Sequence, residues 1–201
     1  MTALRTWLVF ALAGWSGFYV MAIELLSGRI LAPSFGNSIY VWGGVITIFM
    51  LALSIGYLIG GQLSVYAPTL RKLGLILIGA ALTTLPVIVW SEPLLDAIFN
   101  RVSDPRYGSL LASSALFFIP TVISGSVSPY AIRLLVTQLQ ASGKSAGKLY
   151  FVSTFGSAAG TISTSFYLVL LFEVNQIILG LVVISVLLGG IAVMTRSKGH
   201  E

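Results

Sequence analysis

The chain has 201 residues, of which 57% are hydrophobic and only 8% charged, and it carries a net charge of +5. A water-soluble domain carries about 25% charged residues, so a chain this apolar cannot hide its surface in a single core and takes lipid as its solvent. The absence of cysteine and the single histidine, His200, exclude a disulfide framework, a thiol nucleophile and a Cys/His metal site. The basic residues are scattered among the gaps between apolar runs, as topology signals are, and not gathered into a nucleic-acid patch.

Six apolar runs follow one another, at 6–27, 39–63, 73–90, 109–135, 149–171 and 176–194. Each is near the ~20 residues a bilayer requires, so the spacing predicts one transmembrane helical domain over 1–201. Arg5 before Ala11-Leu12-Ala13 imitates a signal peptide, but the apolar stretch before that site is too short and continues past it. The first run contains Glu24, an acid inside a membrane helix and therefore a functional candidate. Gly14, Gly17 and Gly28 share its helical face, which turns Glu24 toward a neighbouring helix. Arg29 is the nearest counter-charge in sequence. A regular helix sets five-apart side chains about 140° away from each other, so pairing requires the helix to end near Gly28. Otherwise Arg29 lies at the interface and Glu24 is a hydrogen-bonded structural acid or finds another partner.

Ala32-Pro33-Ser34-Phe35-Gly36-Asn37 reads as the first turn. In the second run Gly56, Gly60 and Ser64 form a series of small residues suited to close helix packing. The gap at 91–108 is the longest polar segment, with 94–99 as a short interfacial helix. The fourth run is irregular: Pro120 and Pro129 free the carbonyls of Leu116 and Gly125. Ser124 to Ser128 invites either a kink or a broken helix lining a site, with Ser128 as a candidate ligand and Arg133 beyond it. Gly156 and Gly160 belong to a stripe of small residues in the fifth run. Glu173-Val174-Asn175 is so short that the last two runs are expected to be antiparallel neighbours. Eight of the eleven Lys and Arg residues fall on the side of the termini and three (Arg29, Arg101, Arg106) on the other, which predicts cytoplasmic N- and C-termini. Trp7, Trp42 and Trp90 lie near run ends, and Trp15 within the first run reads as a packing residue. No Walker loop, G-x-S-x-G or metal-ligand cluster occurs, so no catalytic residue, cofactor or metal is expected.

Glu24-Leu25-Leu26-Ser27-Gly28-Arg29-Ile30-Leu31-Ala32-Pro33-Ser34-Phe35-Gly36, with Val41-Trp42-Gly43, resembles the opening of the membrane domain of spermidine-synthase-like membrane proteins, the fused major-facilitator-like/spermidine synthase family. Gly125-Ser126-Val127-Ser128-Pro129 with Arg133 resembles that domain's fourth helix. Gly147-Lys148-Leu149-Tyr150 with Ser153 to Thr161 resembles its fifth. Gly56 to Ser64 with Arg71 and Lys72 is similar to the loop between helices two and three of major-facilitator transporters, without the acid usual there, and six helices would equal half of that fold. The resemblance implies a plasma (inner) membrane protein of bacterial type. It also implies a cytosolic aminopropyltransferase-like partner, because the catalytic domain that commonly follows these helices is absent from this sequence and its activity is not carried over. Two readings stand: a membrane partner of a separately encoded polyamine-synthase-like enzyme, or a transporter or conduit for a small cation such as a polyamine, with Glu24, Arg29, Ser128 and Arg133 as its site. The expected partners are the lipid bilayer, that enzyme and further copies of the chain, and no nucleic acid.

Overall fold

The computed structural model describes residues 3–102, 104–136 and 142–195. They form helices and connecting turns, with no strand among them: α1 (Ala3–Phe35), α2 (Ile39–Leu63), α3 (Leu70–Phe99), α4 (Pro105–Gly125), α5 (Val127–Leu135) and α6 (Ser142–Ser163). A π-helical turn (Thr164–Leu168), α7 (Val169–Leu171) and α8 (Val174–Met194) complete the chain. Six stretches are long and apolar enough to cross a membrane, the fourth made of α4 and α5 together and the fifth running from α6 through α7. The protein is an integral membrane helical bundle.

The bundle is assembled from three tightly packed pairs, each closed where glycine lets one backbone reach another. In the α1–α6 pair, a Cβ on Gly156 would overlap the Gly14 carbonyl and one on Gly160 the Phe18 carbonyl. In the α2–α4 pair, Gly56 lies on the Val122 carbonyl and Gly60 on Ser126. In the α3–α8 pair, Gly74 and Gly189 face each other. Lipid offers no hydrophobic drive for two helices to meet, so close approach and its dispersion gain select these partners. Polar bonds add to it: Tyr19 Oη donates to Thr84 Oγ1 at 2.7 Å, joining α1 to α3, and Trp15 Nε1 donates to Ser185 Oγ at 2.8 Å, joining α1 to α8. Trp15 is thus half-buried packing with a hydrogen bond, whereas Trp7 and Trp90 are 74% and 67% exposed, as interface anchors are.

Several boundaries differ from the sequence reading. α1 does not end near Gly28: it continues two turns because Leu31 and Phe35 are buried, and it stops at Gly36, whose φ of 78° suits glycine and whose N–H reaches the Ala32 carbonyl at 2.9 Å. The polar gap at 91–108 is mostly helix. α3 runs through Pro86 and Pro93 to Phe99 because Leu95 is buried and Leu94 and Ile98 pack against the same core. Only 100–104 remain between α3 and α4. There Asp104 caps α4 by accepting from Arg106 N–H at 2.9 Å, and the Arg106 side chain holds its carboxyl below the usual carboxylate range. Pro120 is buried within a continuous α4; the interruption falls at Ser126. The last two spans are not packed neighbours. α8 lies along α3, since Gly189 offers its close contact to Gly74, while α6 is drawn to the glycine face of α1. The polar stretch 140–145, which reads in sequence as the connection between the fourth and fifth runs, lies partly outside the described residues.

These seams set an expectation for Gly156→Leu with Gly160→Leu. Overpacking costs about 1–3 kcal/mol at each site, so the double variant should melt well below the wild type in detergent. The same change at Gly143 and Gly147, where a Cβ meets nothing, should leave the melting temperature in place.

Candidate functional site

The α4–α5 interruption is shaped by serine. Ser126 Oγ donates to the carbonyls of Gly56 at 3.1 Å and of its own Val122 at 3.2 Å, which locks the break to α2. Ser16 Oγ of α1 donates to the Ser124 carbonyl at 3.4 Å. Such bonds satisfy backbone groups where a helix is interrupted at membrane depth. Around this point α1, α2, α4, α5 and α6 leave a cavity of about 130 Å³, lined by Ser16, Ser124, Ser128, Ser153, Ser157 and Tyr57 together with Gly17, Val20 and Met21. A water occupies about 30 Å³ in the liquid, so the space suits a few waters or one ammonium-sized group. Five serines give it acceptor oxygens without a formal charge.

Glu24 lies one turn along α1 from Val20, the nearest lining residue on its own strip. It follows Gly17 by seven residues and Val20 by four, on the strip of α1 that faces the serines. Its carboxylate is half-buried and makes no hydrogen bond or ion pair among the described residues, while its backbone carbonyl accepts from Ser27 Oγ at 2.6 Å. One turn further along the strip, Gly28 is covered by the Trp42 indole; a Cβ there would come within 2.6 Å of the ring. Trp42 is fixed by its Nε1 donating to Asn37 Oδ1 at 2.6 Å. Across from Glu24 the fifth span widens into its π-helical turn. Gly160 lies beside Phe18 and Val169 beside Arg29, which puts Thr164 level with Met21 to Glu24. The Thr164 hydroxyl is fully buried and has no partner among the described residues. π-helical turns within α-helices occur frequently at functional sites.

The four residues singled out from sequence therefore separate. Ser128, on α5, lines the serine cavity, and Glu24 lies on the strip of α1 that borders that cavity, outside its lining. Arg29 does not pair with Glu24, because α1 stays helical between them and turns it away. Its Nη1 donates to the Val169 carbonyl at 3.4 Å, near the end of the fifth span. Arg29 also borders a cleft of about 520 Å³ between α1, α3 and α8 that holds Glu92, Asp96 and Glu173 with Ser34 and Ser91. Reading by apolar runs missed these three acids, since two of them sit in the extension of α3 that reads in sequence as a polar gap with a separate short helix. Arg133 lies at the opposite end of the bundle, beside Arg5 and Arg71. Gly56, Gly60, Gly156 and Gly160 lie in the seams that frame the cavity. Among the described residues no group of acids or histidines is arranged to hold a metal ion.

The register of α1 depends on Tyr19, which is buried on the side away from the serines. Tyr19→Phe removes one interhelical bond, while Thr84 keeps its own donation to the Ala80 carbonyl at 3.1 Å. The expected cost is about 0.6 kcal/mol, read as a small drop in detergent melting temperature; Tyr19→Ala, which empties core volume, should cost several times more.

Comparison with family models, curated proteins and solved structures finds no match for this chain.

Proposed function

We propose that the protein is a carrier or conduit for a small organic cation, such as a polyamine, with Glu24 as the binding acid. One observation carries the reading: an unpartnered carboxylate inside a membrane span, set on the same helix face as a serine-lined cavity. A charge in that place is costly unless a counter-ion offsets its desolvation. An ammonium group would be held by Glu24 and solvated by the hydroxyls of Ser16, Ser128, Ser153 and Ser157, with Trp42 limiting access from the Gly28 side. Arg29 and Arg133, which lie elsewhere, are not ligands in this scheme.

The orientation is part of the proposal. The end bearing Arg5, Arg71, Lys72 and Arg133 faces the cytoplasm by the positive-inside rule. The end with Glu92, Asp96, Asp104 and Glu173, which also carries Arg29, Arg101 and Arg106, faces outward in this orientation. A second reading, a membrane partner of an aminopropyltransferase-like enzyme, draws on the sequence resemblance and on one feature of the fold. Arg5 and Thr195 border the same pocket, so both described ends of the chain open on one face that a soluble enzyme could meet.

Glu24→Gln separates the readings. The amide keeps size and hydrogen bonding, so the variant should insert and melt as the wild type does but lose uptake of a labelled polyamine into proteoliposomes. A fully active variant would sink the cation site and favour the docking role. The orientation is checked with cysteines, of which the chain has none. Asn100→Cys should react with an impermeant thiol reagent on intact cells and Lys144→Cys should not; the reverse pattern would invert the topology.

A further inference from the structure

We propose that the arginine-lined pocket at the end of the bundle that carries Arg5 and Thr195 is a binding site for the phosphate of an anionic phospholipid. Three elements distant in sequence each bring one arginine to it: Arg5 from the first turn of α1, Arg71 from the first turn of α3 and Arg133 from the last turn of α5. The cavity encloses about 230 Å³ and is closed by Thr69, Leu70 and Leu134. Guanidinium groups offer forked donors that match phosphate oxygens.

The electrostatics of this end ask for an anion. Two of the arginines stand at helix N-termini, where the backbone already contributes partial positive charge and a cation is unfavourable. The described carboxylates lie elsewhere, Glu24 within the first span and Glu92, Asp96, Asp104 and Glu173 at the opposite end. Arg71 and Arg133 form no ion pair among the described residues.

The wall is held in place before any ligand arrives. Thr69 N–H donates to Tyr130 Oη at 3.1 Å, and Tyr130 itself is buried. Lys72 turns away, its Nζ donating to the carbonyls of Tyr66 at 2.9 Å and Ala67 at 3.1 Å. Ala67 is held at a φ of 44°, a conformation an alanine adopts only when its surroundings impose it. This is a fixed loop presenting Arg71, not a loose basic tail.

The position identifies the source of the phosphate. The pocket lies at the ends of the spans: Trp7, two residues after Arg5, and Tyr66, two before Pro68, are 74% and 77% exposed, as aromatic residues at a membrane interface are. That is the height of lipid headgroups, and basic pockets between helices at such a boundary take anionic ones.

The test uses purified full-length protein in detergent, probed by native mass spectrometry with phosphatidylglycerol, phosphatidylcholine and inorganic phosphate in parallel. The wild type should retain phosphatidylglycerol in preference to phosphatidylcholine. Arg71→Gln with Arg133→Gln should weaken that retention about tenfold or more, since charge-assisted bonds are the stronger class, and Arg101→Gln at the opposite end should not. If the double variant fails to fold, each single variant is expected to show a smaller loss on its own. Equal retention of both lipids, or variants that hold phosphatidylglycerol as the wild type does, would overturn the proposal. Displacement of the lipid by millimolar inorganic phosphate would also overturn it, by making this a site for the free anion. The measurement is independent of cation transport, so its failure leaves the Glu24 reading untouched.

Discussion

The structure depends on how closely two backbones can approach in lipid. Water drives apolar helices together, but lipid tails are as apolar as leucine and supply no such force. What remains is dispersion at short range and the occasional interhelical hydrogen bond. Dispersion falls steeply with even a small gap, so glycine, which removes the gap, decides who pairs with whom. The result ignores chain order. α1 takes α6, α2 takes α4 and α3 takes α8, because Gly14 meets Gly156, Gly56 meets the α4 backbone at Val122 and Gly74 meets Gly189. A two-residue connection between the last two spans, Phe172 and Glu173, could not override this.

The cavity is a by-product of the same seams. Gly17, Ser153 and Ser157 come from the α1–α6 contact, and Ser124 and Gly125, with Leu53 and Tyr57, from the α2–α4 contact. Where two close-packed seams meet, the side chains available are glycine and serine, too small to fill the space between five helices. The interruption at Ser126 widens the junction, and its freed backbone groups require hydroxyl partners. Small residues chosen for packing thus leave a hydroxyl-lined space without any residue being reserved for it. Glu24 gives the space a sign.

Much of this was legible in the chain. Six spans follow from hydropathy alone, and the small-residue series at Gly56 and Gly156 point at seams. Which seams pair was not legible, because a glycine stripe says that a helix is approached closely but not by which other helix. Helix ends were misjudged for a related reason. The segment from Glu92 to Phe99 looks polar by composition, yet Leu95 carries a buried face that keeps α3 helical past its membrane run. The π-helical turn at Thr164 has no local signature and arises from how α6 fits against α1. The acids of the cleft beside Arg29 were visible as letters, but only the extended α3 and the start of α8 bring Glu92, Asp96 and Glu173 together.

Acids and bases are unevenly placed along the bundle. Arg5, Arg71 and Arg133 converge at one end, and Glu92, Asp96 and Glu173 gather at the other, beside Arg29, with Asp104 paired to Arg106. Between these ends the spans carry Glu24 alone, on the strip of α1 that faces the serines. A lone acid at such a depth is not required to hold the bundle together, since the glycine seams already do that and the Glu24 carboxylate bonds to no neighbour among the described residues. Nor does the nearest arginine neutralise it, because the unbroken helix between Glu24 and Arg29 turns the two apart. A structural acid would be expected to have a partner in the fold. One without a partner among the described residues, on the face of α1 that borders a cavity of neutral acceptors, is the feature on which the proposed cation site rests.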